Sequence, residues 1–272
     1  MGEKIITIYC LCDDILKGLH HYEDPQRHMS DAEVITTAIV AMLSCRGNFE
    51  HARAWLMMTG HIPKMLSKSR LNRRLHRISD LLIIIFEVLG DTYKQLNTEL
   101  IYAIDSFPIA VCDNIRISRS KIYQNESYRG YTASKRRYFY GLKIHLMVTK
   151  SGQPVEFFLT PESFGDVAVL DQFSFDLPEW VIVYADKAYN DYNLEDLLKE
   201  AGNIQLLPIR KENSKRALPP YVAFVQHHYR KIIETTGSII ERLLPKTIHA
   251  VTPRGFELKV VLFVLACSIN YL

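Results

Sequence analysis

Cysteine is scarce in this sequence, and the cysteines that occur are not spaced for metal binding. The chain of 272 residues has five of them, and no two follow the pattern Cys-x-x-Cys. Structural zinc sites depend on closely spaced cysteine and histidine ligands, so we expect no zinc site. A reduced, cytoplasmic protein is the context that we expect.

Long apolar runs are also missing. The longest, residues 260–269, is too short to cross a bilayer, and the start of the sequence does not resemble a signal peptide. We therefore expect a protein without a membrane partner.

Excess charge of either sign is small overall, but it is unevenly distributed. The formal net charge is +3. Residues 115–150 nevertheless contain nine basic side chains and one acidic side chain, whereas residues 151–205 contain eleven acidic and two basic ones. Local basic blocks of this kind favour a polyanionic partner.

Residues 100–111 form a strongly apolar, β-favouring stretch that contains a carboxylate. This composition is typical of a strand buried on both faces of a mixed α/β sheet. Asp105 lies inside it, before Ser106 and before Pro108, which we expect to break the strand. A carboxylate in such surroundings has to be neutralised, hydrogen-bonded or bound to a cation.

A second apolar run, residues 180–185, ends on Asp186. Two aspartates that each end a buried strand predict a carboxylate cluster for divalent metal. Two Mg²⁺ ions about 3.5–4 Å apart can stabilise both the attacking and the leaving oxygen in phosphodiester cleavage. Because Mg²⁺ needs few protein carboxylates, such a cluster leaves coordination positions for phosphate.

The third acid is expected on the long helix predicted over residues 221–244. Glu234 is the preferred candidate, since Arg230 lies one turn before it and can point to the same face. Glu241, seven residues further along, lies on roughly the same face and remains the alternative.

The N-terminal part is predicted to be helical, and one of its helices is basic. A capping box at residues 30–33 predicts one helix start. A later helix, capped by Ser67 or Ser69, has Leu71, Leu75 and Ile78 on its inner face. Its other faces carry four candidate DNA-binding residues, Arg70, Arg73, Arg74 and Arg77. A solvated basic surface is the alternative.

Periodicity changes from helical to strand-like near Asn97. We place a domain boundary there, with a helical DNA-binding domain at 1–96 and a catalytic domain at 97–272. A basic, tyrosine-rich loop at 115–137 carries Arg136 and Arg137 and suits nucleic-acid binding; an ordinary exposed loop is the alternative. A hairpin at 138–159 follows.

The predicted element order of the second domain is β-β-β-α-β-α-β-α. This order matches the ribonuclease-H-like fold, in which adjacent central strands and a later helix supply acids. The predicted class is therefore α/β, a ribonuclease-H-like mixed sheet with flanking helices preceded by a small all-α domain.

At these residues the sequence resembles bacterial insertion-sequence transposases of the DDE type. The resemblance covers nearly the whole chain and is strongest from Asn97 onward. It is carried by Ile-Asp105-Ser, Tyr-Gly-Leu-Lys143-Ile-His145, Ala-Asp186-Lys187-Ala-Tyr189 and Arg230-x-x-x-Glu234.

The resemblance implies a catalytic triad that is also the metal-ligand set: Asp105, Asp186 and Glu234. It implies Mg²⁺ as the cofactor, with Mn²⁺ as an alternative ion. It further implies that four residues flank the scissile phosphate or the terminal bases: Lys143, His145, Lys187 and Arg230. The implied partners are double-stranded DNA, as element ends and target, and a second copy of the chain in a synaptic complex at the bacterial nucleoid.

Two positions depart from the family pattern. Related proteins often carry a tyrosine three residues before the arginine and a lysine seven residues after the glutamate. Here these positions hold His227 and Glu241. Asp166 is a further acid near the expected site, with a loop-capping role as the alternative.

Three functions follow in order of preference. The first is a transposase that cleaves element ends and joins them to target DNA. The second is a nuclease of the same fold that stops at hydrolysis. The third is a non-enzymatic DNA-binding protein, which leaves the two strand-terminal aspartates unexplained.

Overall fold

A computed structural model describes residues 2–132, 136–210, 214–245 and 247–272. The chain divides into two compact units. The helical unit comprises the residues up to Leu89 together with those from Ile240 onward, and the sheet unit comprises Gly90–Ile239. The predicted ranges 1–96 and 97–272 stay a prediction.

Eight α-helices occur among the described residues. They are α1 (Gly2–Gly18), α2 (Asp31–Cys45), α3 (Phe49–Met58), α4 (Lys68–Arg77), α5 (Ser79–Leu96), α6 (Tyr192–Gly202), α7 (Pro220–Leu243) and α8 (Pro253–Ile269). No helix among the described residues has both the length and the apolar character that a bilayer crossing requires.

Helix α2 forms the centre of the helical unit. It is apolar on nearly every face, and eleven of its fifteen residues are buried. Such a helix needs neighbours all around it, and α1, α3, α4 and α8 all contact it. The predicted capping box is present: Glu33 N–H donates to Ser30 Oγ (3.1 Å), and Ser30 N–H donates to Glu33 Oε2 (2.7 Å).

The sheet unit is built on six strands. They are β1 (Ile101–Asp113), β2 (Arg129–Thr132), β3 (Arg137–Thr149), β4 (Pro154–Pro161), β5 (Ile182–Ala185) and β6 (Gln205–Pro208). The order across the sheet is β2-β3-β1-β5-β6, with β4 also paired to β3. The pairs β1–β3, β2–β3 and β3–β4 are antiparallel, whereas β1–β5 and β5–β6 are parallel.

This arrangement confirms the predicted fold class. Three long antiparallel strands come first, and two short parallel strands follow after crossovers, as the ribonuclease-H-like order requires. The predicted hairpin is formed by β3 and β4. Within β3, Gly141 is needed because a Cβ at this position would lie 2.2 Å from the Ile109 carbonyl oxygen of β1.

Two predictions of local structure are wrong. Pro108 does not break the strand, since β1 continues to Asp113. Pairing of β1 with β5 ends at Ile104, so the second half of β1 is paired only with β3. A strand that is unpaired along one side tolerates proline, which has no backbone N–H to donate. The tyrosine-rich segment is also not simply a loop: it contains β2 and two short 3₁₀ turns at Asn114–Arg119 and Glu126–Tyr128.

Candidate active site

The parallel pairing of β1 and β5 places Asp105 beside Asp186. The last paired residues of the two strands are Ile104 and Ala185, and each aspartate is the next residue along. Neighbouring strands lie about 4.8 Å apart. The two carboxylates therefore share the edge of the sheet at which β5 ends.

Burial makes Asp105 an unusual carboxyl group. The pKa of Asp105 is raised from 3.8 to about 6, mainly by burial and also by the negative charge of Asp186. The Ser106 N–H, which donates to Asp105 Oδ1 at 2.8 Å, and the charge of Arg230 oppose this shift. The site thus favours a cation near Asp105.

Arg230 of α7 connects the aspartate pair to Glu234. Its Nη1 donates to Asp186 Oδ1 at 3.0 Å, and its Nε donates to Glu234 Oε1 at 2.8 Å. The Glu234 side chain is 49% exposed, whereas that of Asp186 is 19% exposed. Asp186 and Glu234 therefore share one guanidinium, with Glu234 at the solvent side.

This donor set fits a divalent metal. All three side chains offer carboxylate oxygens, the ligands that Mg²⁺ prefers, and Arg230 occupies one oxygen of Asp186 and one of Glu234. The described geometry does not bring the ligand atoms of all three within 4.8 Å of one another. Glu241, the alternative third acid, is exposed and belongs to the helical unit.

Asp166 lies next to this group rather than capping a turn. It begins the 3₁₀ turn Asp166–Gln172 and accepts a hydrogen bond from Ser106 Oγ at 2.9 Å and from Lys143 Nζ at 3.1 Å. The Lys143 ammonium also donates to the Phe164 carbonyl. Since Ser106 follows Asp105 directly, Asp166 ties Lys143 to the strand that carries the first aspartate.

His145 and Tyr189 form a buried polar contact behind the site. His145 Nδ1 lies 3.2 Å from Tyr189 Oη, and His145 Nε2 lies 2.9 Å from Thr160 Oγ1. The His145 ring is fully buried and stacks on Phe158. Burial lowers the pKa of His145 to about 4, so the ring is neutral at physiological pH. The predicted DNA contact of His145 stays a prediction, and the ring has intramolecular partners on both nitrogens.

One group at the site was missed from the sequence. Glu162 directly follows β4, and burial raises its pKa to about 7, with Lys143 opposing the shift. Its Oε2 is buried with no hydrogen-bond partner among the described residues. No sequence signal marks it, because a glutamate after a strand is usually an exposed turn residue.

The predicted DNA-binding residues of the sheet unit lie mostly at the surface. Arg136 and Lys187 are exposed. Arg137 is half-exposed and pairs with Asp113 at 3.1 Å. Lys143 is largely buried by its contact with Asp166.

In the helical unit, α4 has the orientation predicted from its sequence. Leu71, Leu75 and Ile78 are buried. Arg70, Arg73 and Arg77 are exposed. They line a groove of about 280 Å³ together with Arg74 and with the neighbouring Arg27 and His28.

Arg74 differs from the other three arginines because it has structural partners. Its Nε lies 2.7 Å from Asp31 Oδ1, and its Nη2 lies 3.6 Å from Glu23 Oε1. His21, Glu23 and Asp31 are the one described group of three metal-ligating side chains whose ligand atoms lie within 4.8 Å of one another. Arg74 compensates part of the negative charge of this group.

Comparisons with known proteins agree with these findings. A family model described as "Transposase DDE domain" matches residues 95–249. No curated protein matches the chain. A solved structure of a piggyBac transposase synaptic complex with hairpin DNA aligns at 12% identity with a TM-score of 0.45. That alignment covers 100% of this chain and 66% of the piggyBac chain, and a likeness this distant carries no argument.

Proposed function

Because the chain belongs to the family of transposase DDE domains, we propose that it is a DNA transposase that cleaves the ends of an insertion sequence and joins them to target DNA. The observation that carries this proposal is the adjacency of Asp105 and Asp186, which directly follow the last paired residues of the parallel strands β1 and β5. Arg230 and Glu234 of α7 lie against this pair.

Family membership implies the use of a divalent metal. We propose that Asp105, Asp186 and Glu234 would hold it and that it is Mg²⁺, with Mn²⁺ as an alternative. Bound there, the ion would compensate negative charge that develops on phosphate oxygens during cleavage. Mg²⁺ fits because it is held by few carboxylates and keeps positions open for substrate phosphate.

The remaining residues of the site bind and orient. Beside the two aspartates, Lys187 is exposed and the Arg230 side chain is 37% exposed, so both cations can contact a DNA phosphate. Asp166 holds Lys143 beside Ser106. We propose that neutral His145 acts by positioning Tyr189, since both side chains are buried.

DNA as the partner is supported by charge as well as by family. The groove beside α4 collects exposed arginines with no carboxylate among its lining residues. Such a surface suits the phosphate backbone. We propose that α4 contacts element ends, that two copies of the chain act together, and that the protein works at the bacterial nucleoid.

The first experiment replaces the two aspartates separately. Asp105→Ala and Asp186→Ala should abolish metal-dependent cleavage of element-end DNA, because each removes one of two adjacent charges from the metal site. DNA binding, measured by fluorescence anisotropy, should survive in both. Asp171→Ala is the matched control, since Asp171 is an exposed aspartate in the same unit. Near-normal cleavage by either variant would refute the assignment.

Two other functions give different results in the same assay. A nuclease of this fold yields cleaved ends but no products joined to a second DNA. A DNA-binding protein without enzymatic activity keeps all its activity in Asp105→Asn. Joined products that require both aspartates support the transposase.

A further inference from the structure

A second basic surface of the helical unit is not explained by the catalytic site. Four chain segments meet at an open pocket of about 640 Å³: the α2–α3 turn, the start of α4, the segment before α8, and α8 itself. Its basic lining residues are Arg46, His51, Lys68, His249 and Lys259. These residues are far apart in sequence, so only the fold brings them together.

The positive charge of this pocket is not balanced within it. The one carboxylate among its lining residues is Glu50, and both of its oxygens accept hydrogen bonds from Arg53 at 2.8 Å. The Lys259 ammonium donates to the His249 carbonyl, a neutral group.

The charged form of Lys259 is less stable than that of an exposed lysine. Burial lowers its pKa, and the charge of Lys68 lowers it further. Lys259 is partly buried and repelled by the exposed Lys68, so an anion bound between or beside the two lysines stabilises both charges.

The basic surface continues along α4. A neighbouring pocket of about 450 Å³ shares Phe49, Lys68 and Lys259 with the first, and adds Asn72 and Arg73. Arg73 also lines the arginine groove on the other side of α4. The cations therefore form a continuous track across the helix, which suits a chain of phosphates better than a single small anion.

We propose that Lys68 and Lys259 bind phosphate groups of the DNA backbone, so that α8, near the C-terminus, shares a DNA-binding surface with α4. The proposal rests on the proposed function, because it takes DNA as the partner. It adds a site on a helix that lies outside the residues matched by the family model.

The test measures DNA affinity against salt concentration with the full-length protein. A labelled duplex of about 30 base pairs is titrated by fluorescence anisotropy between 50 and 200 mM NaCl. Each lost phosphate contact should reduce the slope of log K against log[salt] by about 0.9. In the double variant Lys68→Gln/Lys259→Gln, the slope should therefore be smaller by about 1.8. Between 50 and 200 mM NaCl, its affinity should then fall roughly ten-fold less than that of the wild type.

Two controls separate charge from folding. Lys199→Gln removes an exposed lysine from the sheet unit and should leave the slope unchanged. Lys259→Arg keeps the charge and should retain most of the wild-type slope. Lys68→Gln alone, at an exposed position, should lower the slope by about 0.9 without altering the melting temperature.

Three results would overturn the inference. One is an unchanged slope in the double variant while the wild type binds DNA, which leaves the transposase proposal intact. Another is stabilisation of the wild type by micromolar inorganic phosphate together with an unchanged DNA slope, which indicates a small-anion site. The third is a wild type that binds no DNA, which refutes the proposed function as well.

Discussion

Asp105 is the residue at which the fold and the proposed chemistry conflict most directly. Its surroundings are apolar enough to raise the pKa of its carboxyl group to about 6. An aspartate on the protein surface ionises without this cost. The strand that carries it is buried because it is central in the sheet, so the cost of ionising Asp105 follows from placing an acid there.

This cost predicts a pH-dependent effect of Asp105→Asn on metal-free protein. The pKa of Asp105 is about 6 in the folded protein, above the unfolded value of 3.8. The free energy of unfolding is therefore highest below about pH 4, where Asp105 is protonated in both states, and falls as pH rises through 6. Asparagine does not ionise and can still accept from the Ser106 N–H. We expect the variant to gain on the order of 2–3 kcal/mol over wild type between pH 4 and 8.

Urea unfolding in EDTA at a series of pH values measures this difference. Asp171→Asn, at an exposed position, should follow the wild-type curve at every pH. Stability curves of Asp105→Asn and wild type that run parallel from pH 4 to 8 would show that Asp105 ionises normally.

At the scale of elements, local sequence signals predicted those boundaries that local interactions determine. The capping box of α2 is formed as predicted, because Ser30 and Glu33 each bond to the other's backbone N–H. β2 was missed because its four residues, Arg129–Thr132, carry charge and glycine and become a strand only by pairing with β3. Long-range pairing of this kind leaves no periodic pattern in so short a segment.

The arginines of α4 show the same limit. All four look equivalent in sequence, and only the folded structure separates Arg74, which pairs with Asp31 and Glu23, from Arg73, which is exposed. Helical periodicity places residues on a face but does not identify a partner 43 positions away.

This separation gives opposite predictions for two neighbouring substitutions. Arg74→Ala leaves the buried Asp31 with His21 but without its guanidinium, and should destabilise the protein by on the order of 2–4 kcal/mol. Arg73→Ala should change stability by no more than about 0.5 kcal/mol. It should instead lower the salt slope of DNA binding by about 0.9.

Urea unfolding and anisotropy titrations on the same preparations measure both effects. Arg74→Lys retains the charge but not the forked geometry, so it should recover part of the stability. Equal destabilisation by Arg73→Ala and Arg74→Ala would contradict the distinction between the two arginines.

For the molecule as a whole, the parts of the site that could be predicted are those that topology determines. Two apolar runs that each contain an aspartate, in a predicted mixed sheet whose adjacent central strands carry acids, were enough to expect Asp105 beside Asp186. The contacts of Asp166 with Ser106 and Lys143 and the buried position of Glu162 depend on how crossover segments pack, which no local pattern records.

The division into two units makes metal binding a local event in the chain. A ligand that binds only the folded state raises the free energy of unfolding by RT ln(1 + [L]/Kd). Because the proposed ligands all lie within Gly90–Ile239, Mg²⁺ should slow hydrogen exchange in β1, β5 and the middle of α7. Exchange in α1 to α4 should change little, and removal of the ion with EDTA should reverse the protection.

The aspartates supply the control for that measurement. In Asp186→Asn, Mg²⁺ should give no protection at millimolar concentration, since the adjacent carboxylate pair is broken. Protection that persists in this variant, or that appears in the helices around Asp31 instead, would place the metal away from Asp105 and Asp186. Protection limited to the sheet unit would instead support metal binding by Asp105 and Asp186, which β1 and β5 bring together from distant parts of the sequence.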